Sequence, residues 1–406
     1  MPHDKKHIVL LTTWFSPLHG VAVSRMHAIV KYLDHDKFRV SVITLKSTKE
    51  AGARESLFGA EVYRLKNDAL FSKMRERAGE SKAVHYLKVL WNVALSRVQH
   101  LEYGSWKKQA EVLLEELHSE NKIHAVISSY APAEAHLAAL HFCIRHPDVK
   151  WIADMRDEMS CNPHLPLRVR TQLARLEQQM DGRADAITTV SQPILDDFKR
   201  LIPHAKYFEE IRNGFDHEMK FPPHFNTEFT IAYGGTFYGE NKPGLFFEAL
   251  QQFQSKTSQE VRLWFIGTNR NFHIPTEFRN GSTFFPVMPN AEAVKQMAQA
   301  DATLLTLPPV QRKGVYSGKL FDYISVMKPV IAIVDPEDVA ARLIRELGAG
   351  FVAGFQDVEA MERAISGAFE LWKEKKPLPV DPHRVDGLHR KHQVKKLEML
   401  LDKLLA

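Results

Sequence analysis

The segment Ser317-Gly318-Lys319-Leu320-Phe321-Asp322-Tyr323 sets an ammonium and a carboxylate three positions apart, behind a serine and a glycine. On a helix that spacing puts both side chains on one face. A helix opening at Ser317 and Gly318 turns unpaired backbone N–H groups and the positive end of its dipole toward an anion. Further upstream, Gly234-Gly235-Thr236 leads to Lys242. Paired glycines expose backbone N–H groups and a lysine adds a mobile positive charge, which together suit a diphosphate. Asp154-Met155-Arg156-Asp157 closes an apolar run with three charges. At the end of a parallel strand such a cluster serves binding or catalysis, although an internal Asp–Arg pair that organises a loop accounts equally for Arg156. Gly20, in the loop before Arg25, fits a strand-to-helix turn that needs a positive φ. His136 stands alone on a helical stretch and reads as a structural side chain.

These residues need a frame, and the hydrophobic pattern supplies one. His7–Phe15 is a nearly continuous apolar run, as in a strand buried on both faces of a parallel sheet. Helical spacing follows at Met26, Ile29, Val30 and Leu33, with Ser24 as the expected N-cap. Strands are expected at 38–45, 60–65, 125–130, 151–155 and 186–191, separated by helical tracts, with Pro193 opening the last helix of this half. The pattern stops near Phe221-Pro222-Pro223-His224 and restarts with strands at 229–233, 261–266, 283–287, 302–307 and 330–334. The division is therefore 1–216, a linker 217–228, a second domain 229–376, and a tail 377–406 whose 385–405 stretch is a separate amphipathic helix. Alternating strands and helices imply βαβ units and parallel sheets, an α/β class. Asn213-Gly214-Phe215-Asp216 just before the linker is a chain reversal with no chemistry assigned.

Composition narrows the function. A chain of 406 residues exceeds one ordinary core. Its two cysteines, Cys143 and Cys161, form no C-x-x-C pair, and the 20 histidines show no metal-ligand spacing. No metal site or organic cofactor is expected, and the thiols fit a reducing cytoplasm. No signal peptide and no spanning apolar run is evident. Between Glu61 and Lys108 ten Lys/Arg face five acids, which matches the net charge of +5 of the whole chain. A nucleic-acid binder spreads its charge more widely. Within that tract Tyr86, Leu87, Leu90, Trp91 and Leu95 recur at helical spacing, so the stretch 64–108 reads either as a basic amphipathic surface for an anionic membrane or as a core-packed helix. Membrane docking there would place the protein at the inner face of the membrane.

In order along the chain these segments resemble the GT-B glycosyltransferases, particularly the family 4 retaining enzymes that build bacterial surface polysaccharides. Phe15–Val21 with Arg25 resembles the first-strand loop. Asp154-Met155-Arg156-Asp157 is similar to a D-x-R-D segment and Asn213–Asp216 to N-G-x-D. Gly234–Thr236 with Lys242 resembles the donor loop. Ser317–Tyr323 with Lys328-Pro329-Val330-Ile331 resembles S-x-K-[LF]-[FL]-E-Y … G-K-P-V. The likeness implies two Rossmann-like domains with parallel sheets facing across a cleft. It implies donor contacts from Gly20, Arg25, Gly235, Thr236, Lys242, Ser317, Gly318, Lys319 and Asp322, the last accepting from ribose hydroxyls. Asp154, Arg156 and Asp157 fall on the acceptor or catalytic side. Three departures stand out: one glycine remains in the first loop, Gly314 occupies the position of a second glutamate, and Met327 replaces the glycine before K-P-V, so the helix is expected to end without the left-handed glycine cap.

The expected partners are a nucleotide-sugar and a glycan or lipid-linked hydroxyl acceptor. A sugar-nucleotide epimerase of the same fold, or a catalytically silent binding or scaffold protein, are the alternatives. The absence of G-x-G-x-x-G after the first strand disfavours NAD chemistry.

Overall fold

The computed structural model describes residues 5–47, 52–67, 81–98, 102–218, 221–237, 243–307 and 313–406. It divides into two compact units, Met1–Ile211 with Val394–Ala406, and Arg212–Gln393. Segment 212–228 thus belongs with the second unit, and the end of the tail with the first.

In the first unit the elements run β1 Lys6–Leu11, α1 Val21–Tyr32, β2 Phe38–Leu45, β3 Arg54–Leu57, β4 Ala60–Leu65, α2 Lys82–Val98, α3 Gly104–Glu120, β5 Ile123–Tyr130, α4 Glu134–Arg145, β6 Lys150–Met155, α5 Leu167–Met180, β7 Ala186–Thr189, α6 Gln192–Leu201 and β8 Tyr207–Glu210. The strands form one sheet in the order β3-β4-β2-β1-β5-β6-β7-β8. Only the β3–β4 pair is antiparallel. Alternate residues of β1 enter opposite layers: Val9 and Leu11 pack with Trp106, Phe142 and Trp151, while Ile8 and Leu10 pack with Met26, Ile29 and Val42. Both faces are therefore covered, which is why β1 reads as an unbroken apolar run.

The second unit contains β9 Phe229–Gly234, α7 Gly244–Thr257, β10 Val261–Ile266, α8 Thr276–Arg279, β11 Ser282–Phe285, α9 Asn290–Ala298, β12 Ala302–Thr306, α10 Gly318–Ser325, β13 Val330–Ile333, α11 Val339–Leu347, β14 Gly350–Ala353, α12 Val358–Lys373 and α13 Pro382–Asp386; α14, Arg390–Leu405, follows. Its sheet, β11-β10-β9-β12-β13-β14, is parallel throughout. Helices α10 and α11 cover one face, and α7 and α12 the other.

Several local expectations shift. Helix α1 starts at Val21 with Gly20 as its N-cap, so Ser24 lies inside the helix and its N–H donates to the Gly20 carbonyl at 3.0 Å. The tail is two helices, and α14 is not a detached element: Val394, Leu397, Leu400, Leu401 and Leu404 are buried in the layer that holds Ile8 and Leu10. Gly214 has φ +62°, and a Cβ there would come within 2.2 Å of the Leu388 carbonyl, so the Asn213–Asp216 reversal needs glycine for a close approach.

Helix α10 ends without a glycine cap, and a methionine takes the left-handed position instead. Met327 holds φ +52° and its N–H donates to the Ile324 carbonyl at 3.1 Å. A β-carbon in that region costs about 1 kcal/mol or more. Met327→Gly is therefore expected to raise unfolding free energy by about 1 kcal/mol, measured as a higher urea midpoint at unchanged slope; a lower midpoint refutes the strain.

Candidate functional site

Each sheet reverses its winding once, between β1 and β5 in the first unit and between β9 and β12 in the second. Loops leaving strands on either side of such a reversal splay apart and leave a crevice for ligand at the carboxyl ends of the strands. The motifs named above lie in those loops or on the neighbouring strand ends.

In the second unit β9 runs out into Gly235 at φ +85°. Gly235 N–H donates to the Ile266 carbonyl at 2.8 Å, and the Thr268 hydroxyl donates to the Gly235 carbonyl at 2.8 Å. The loop is thus fixed from the β10 side. From the other side comes α10. Its cap is Ser317, whose Oγ accepts from Lys319 N–H at 3.3 Å. Lys319 Nζ donates to Tyr233 Oη at 2.9 Å and to the Thr236 carbonyl at 3.3 Å. A Cβ on Gly235 would stand 3.0 Å from Lys319 Cε and 3.1 Å from Nζ, so glycine is what lets the lysine cross the loop. One turn later Tyr323 seals the junction: Gly234 N–H donates to its Oη at 2.8 Å, and that hydroxyl donates to the Gly234 carbonyl at 3.2 Å.

Asp322 lies on the same turn, half-buried, and accepts from Asn290 Nδ2 at 3.0 Å. It does not pair with Lys319, whose donors are directed to Tyr233 and Thr236. Burial drives the two groups in opposite directions, the ammonium down to about 8 and the carboxyl up to about 6, the latter opposed by the charge of Arg390. Both are charged at neutral pH without being spent on each other. Next to the Ser317 cap is a cavity of 140 Å³ lined by Leu307, Val315, Ser317, Val334, Asp335 and Asp338. Lys242 lies outside the described residues.

In the first unit Gly20 holds φ +130°, and the space its Cβ would fill is open. Arg25, one turn into α1, is buried. Its Nε and Nη2 donate to Asp154 at 3.1 and 2.6 Å, and Nη1 to the Ile211 carbonyl at 2.7 Å. Asp154 also accepts from the Thr188 and Ser129 hydroxyls. Burial pushes its carboxyl up, but Arg25, Thr188 and Arg156 together outweigh this and hold it below the usual range. Ser129 extends the network to Arg156, whose Nε donates to its hydroxyl at 3.2 Å and whose Nη2 donates to the Ala131 carbonyl at 3.0 Å. The structure thus joins Arg25, Asp154 and Arg156 through buried bonds across the base of the sheet's reversal. Asp157 stands partly exposed beside them. His136 is fully buried between Ser128 Oγ and Met155 Sδ, and burial drops it to about 3, a neutral packing residue. Among the described residues no cluster of His, Cys, Asp and Glu is arranged to hold a metal ion, and no helix is long and apolar enough to cross a membrane.

Tyr233, Tyr323, Asn290 and Thr268 were not among the expected site residues. Their polar atoms complete the loop–helix junction; Tyr323 closes the S-x-K-[LF]-[FL]-E-Y pattern without a role assigned to it, and the other three read as strand, helix or loop residues with nothing to mark them.

No protein-family model matches the sequence, and no curated protein does. Solved structures do match over nearly the whole length. Sucrose-phosphate synthase from Thermosynechococcus elongatus superposes with a TM-score of 0.63 at 13% identity, covering 98% of this chain and 99% of its own. HepE from Anabaena, in complex with UDP and glucose, gives 0.59 at 12%, covering 98% and 100%. The α,α-trehalose 6-phosphate synthase from Burkholderia multivorans gives 0.59 at 12%, covering 99% and 97%. The architecture of two parallel-sheet α/β units is that of the GT-B glycosyltransferase fold.

The raised carboxyl of Asp322 has a stability consequence. Folding lifts it from an ordinary 3.8 to about 6, so the folded state holds this proton more tightly. Asp322 therefore favours folding most below about pH 4 and loses that contribution as pH rises through about 6. Asp322→Asn keeps the Asn290 contact without the charge. It is expected to raise the melting temperature at about pH 8 and to leave it nearly unchanged at about pH 4; a drop at pH 8 contradicts this electrostatic account.

Proposed function

We propose that this protein is a glycosyltransferase that moves a sugar from a nucleotide diphosphate donor to a hydroxyl acceptor. The carrying observation is the single turn of α10 on which an ammonium and a half-buried carboxylate, unpaired with each other, stand against the Gly235 loop at the winding reversal of the second sheet. A nucleoside diphosphate has the matching features: a diol that donates hydrogen bonds at one end and an anionic diphosphate at the other. In this reading Asp322 accepts from the ribose hydroxyls. Lys319, the N–H groups at Ser317–Gly318, and the Gly235–Thr236 loop with Lys242 take the diphosphate.

Stabilising the departing diphosphate is the largest electrostatic contribution such a site offers. Lys319 is pre-placed for it by Tyr233 and Thr236, so little reorganisation is needed when charge develops. We assign this cradle no metal and no organic cofactor. On the first unit Gly20, Arg156 and Asp157 take the phosphate- and acceptor-facing roles, while Arg25 and Asp154 hold them in place from below. No side chain is nominated as nucleophile. The neighbours solved with UDP, glucose and UDP-2-fluoro glucose support a uridine diphosphate sugar as donor. The family 4 resemblance supports retention of anomeric configuration and a role in surface glycan or glycolipid synthesis.

Lys319→Ala and Asp322→Ala are each expected to abolish the thermal shift that UDP gives the wild-type chain, since only binding to the folded state can raise stability. Sugar transfer from UDP-glucose should fall about 100-fold or more in Lys319→Ala, with EDTA without effect on the wild type. Conversion of UDP-GlcNAc alone to an isomer would identify an epimerase instead. Cellular function surviving both substitutions would identify a scaffold.

We further propose that α2 docks on an anionic membrane. Val84, Tyr86, Leu87, Leu90 and Trp91 are 41–67% exposed, so the core-packed alternative does not describe them; Leu95 lies outside the described side chains. Apolar residues among basic ones on a helix with no acid in its first turn suit a lipid surface bearing negative charge. Co-flotation with phosphatidylglycerol vesicles, lost in Leu87→Glu/Trp91→Glu and absent with phosphatidylcholine alone, is the expected result; equal flotation of the double variant ends the proposal.

A further inference from the structure

Away from the nucleotide cradle, the second unit holds a larger cavity of 290 Å³. Its walls are apolar: Phe221, Phe225, Pro329, Trp372, Leu378 and Val380. Trp372 is itself pinned, its Nε1 donating to the Asn226 carbonyl at 3.0 Å.

Three charged residues, Asp301, Lys328 and Lys376, also line the cavity, and of these Lys328 is the buried cation. Lys328 lines the cavity, is only 9% exposed, and carries three donors. Among the described residues its only hydrogen-bond acceptor is the His224 carbonyl at 2.6 Å. Among the described residues no carboxylate lies within salt-bridge distance of it. Asp301 also lines the cavity, but its two oxygens already accept from Asn226 N–H at 3.0 Å, Asn226 Nδ2 at 3.1 Å and Thr230 N–H at 2.9 Å. Asp301 acts on the ammonium through its charge and the Phe225 ring centroid lies 5.5 Å from Nζ, but among the described residues only one of the three donors has a hydrogen-bond acceptor. A buried ammonium left with donors free is costly unless an acceptor arrives.

We propose that this cavity is a binding site for a small carboxylate with an apolar, ring-sized body. The aromatic and proline walls take the body and Lys328 takes the carboxylate by a charge-assisted hydrogen bond. The size sets the class, because 290 Å³ lies at the lower end of ligand pockets, which begin near about 300 Å³. The site is separate from the nucleotide cradle. It is also connected to it along the chain: Val326, Met327, Lys328 and Pro329, all lining the cavity, are the four residues by which α10 leaves for β13. An occupant therefore bears on the exit of the helix that carries Lys319 and Asp322.

The probe is 3-phenylpropionate, with 3-phenylpropanamide as its uncharged near-isostere, titrated into the full chain by calorimetry. The wild type is expected to bind the carboxylate one to one and at least about tenfold more tightly than the amide. Lys328→Met keeps the aliphatic stem and should bring the two ligands to equal affinity. Leu378→Trp fills the cavity from its rim and should remove binding of both while leaving the melting temperature near the wild-type value. Equal affinity of the wild type for both ligands, no binding of either at millimolar concentration, or undiminished binding by Leu378→Trp would each overturn the proposal. Should Lys328→Met fail to fold, the wild-type comparison and Leu378→Trp decide it. None of these readouts involves a nucleotide, so the outcome is independent of the donor reading.

Discussion

The passage of the Lys319 side chain over Gly235 is the contact on which the second unit's site depends. It requires the absence of a Cβ, since one would lie about 3 Å from the lysine's last two heavy atoms. It also requires acceptors for an ammonium drawn out of water, which Tyr233 Oη and the Thr236 carbonyl supply. Tyr323 then locks the same loop one turn further along α10. The loop and the helix opening consequently behave as one rigid object. Asp322 needs no separate positioning, because the helix repeat fixes it relative to Lys319.

Burial has opposite consequences for these two charges and for the pair in the first unit. Lys319 and Asp322 are desolvated without being paired to each other, which shifts each toward its neutral form. Such shifts are a physical mark of sites that trade stability for readiness to bind. Arg25 and Asp154 are more deeply buried, yet Asp154 stays below its ordinary value because Arg25, Thr188 and Arg156 all favour its charged form. A charge satisfied this completely by its own protein has little left to offer a ligand. Its contribution is to hold α1, β5, β6 and β7 together beneath the loops that leave them.

Met327 shows a different compromise. The exit of α10 demands left-handed backbone, and a methionine meets the demand at a cost that glycine would avoid. Because that exit also forms a wall of the Lys328 cavity, the same four residues connect the turn that carries Lys319 and Asp322, the strained cap and the pocket.

The sequence by itself determined the elements whose signal is local. Strands such as β2, β4 and β10 are written in apolar or alternating apolar–polar residues, and their bounds match residue for residue. The Ser317–Asp322 turn was legible because a cap and a one-turn spacing are properties of a single helix. The short strands β3 (RESL) and β8 (YFEE) were not legible, since their charged residues interrupt any apolar run, and the four-residue β14 went unread although the edge strand β11 did not. Nor was the fate of α14, whose apolar stripe shows only that it is covered, not by what. Tertiary structure alone decided that Arg25 finds Asp154, 129 positions away, and that Tyr233 and Tyr323 direct their hydroxyls to the loop rather than merely filling the core. Hydrogen bonds between distant segments leave no periodicity in the chain. They exist only once the sheet order has brought the strand ends together.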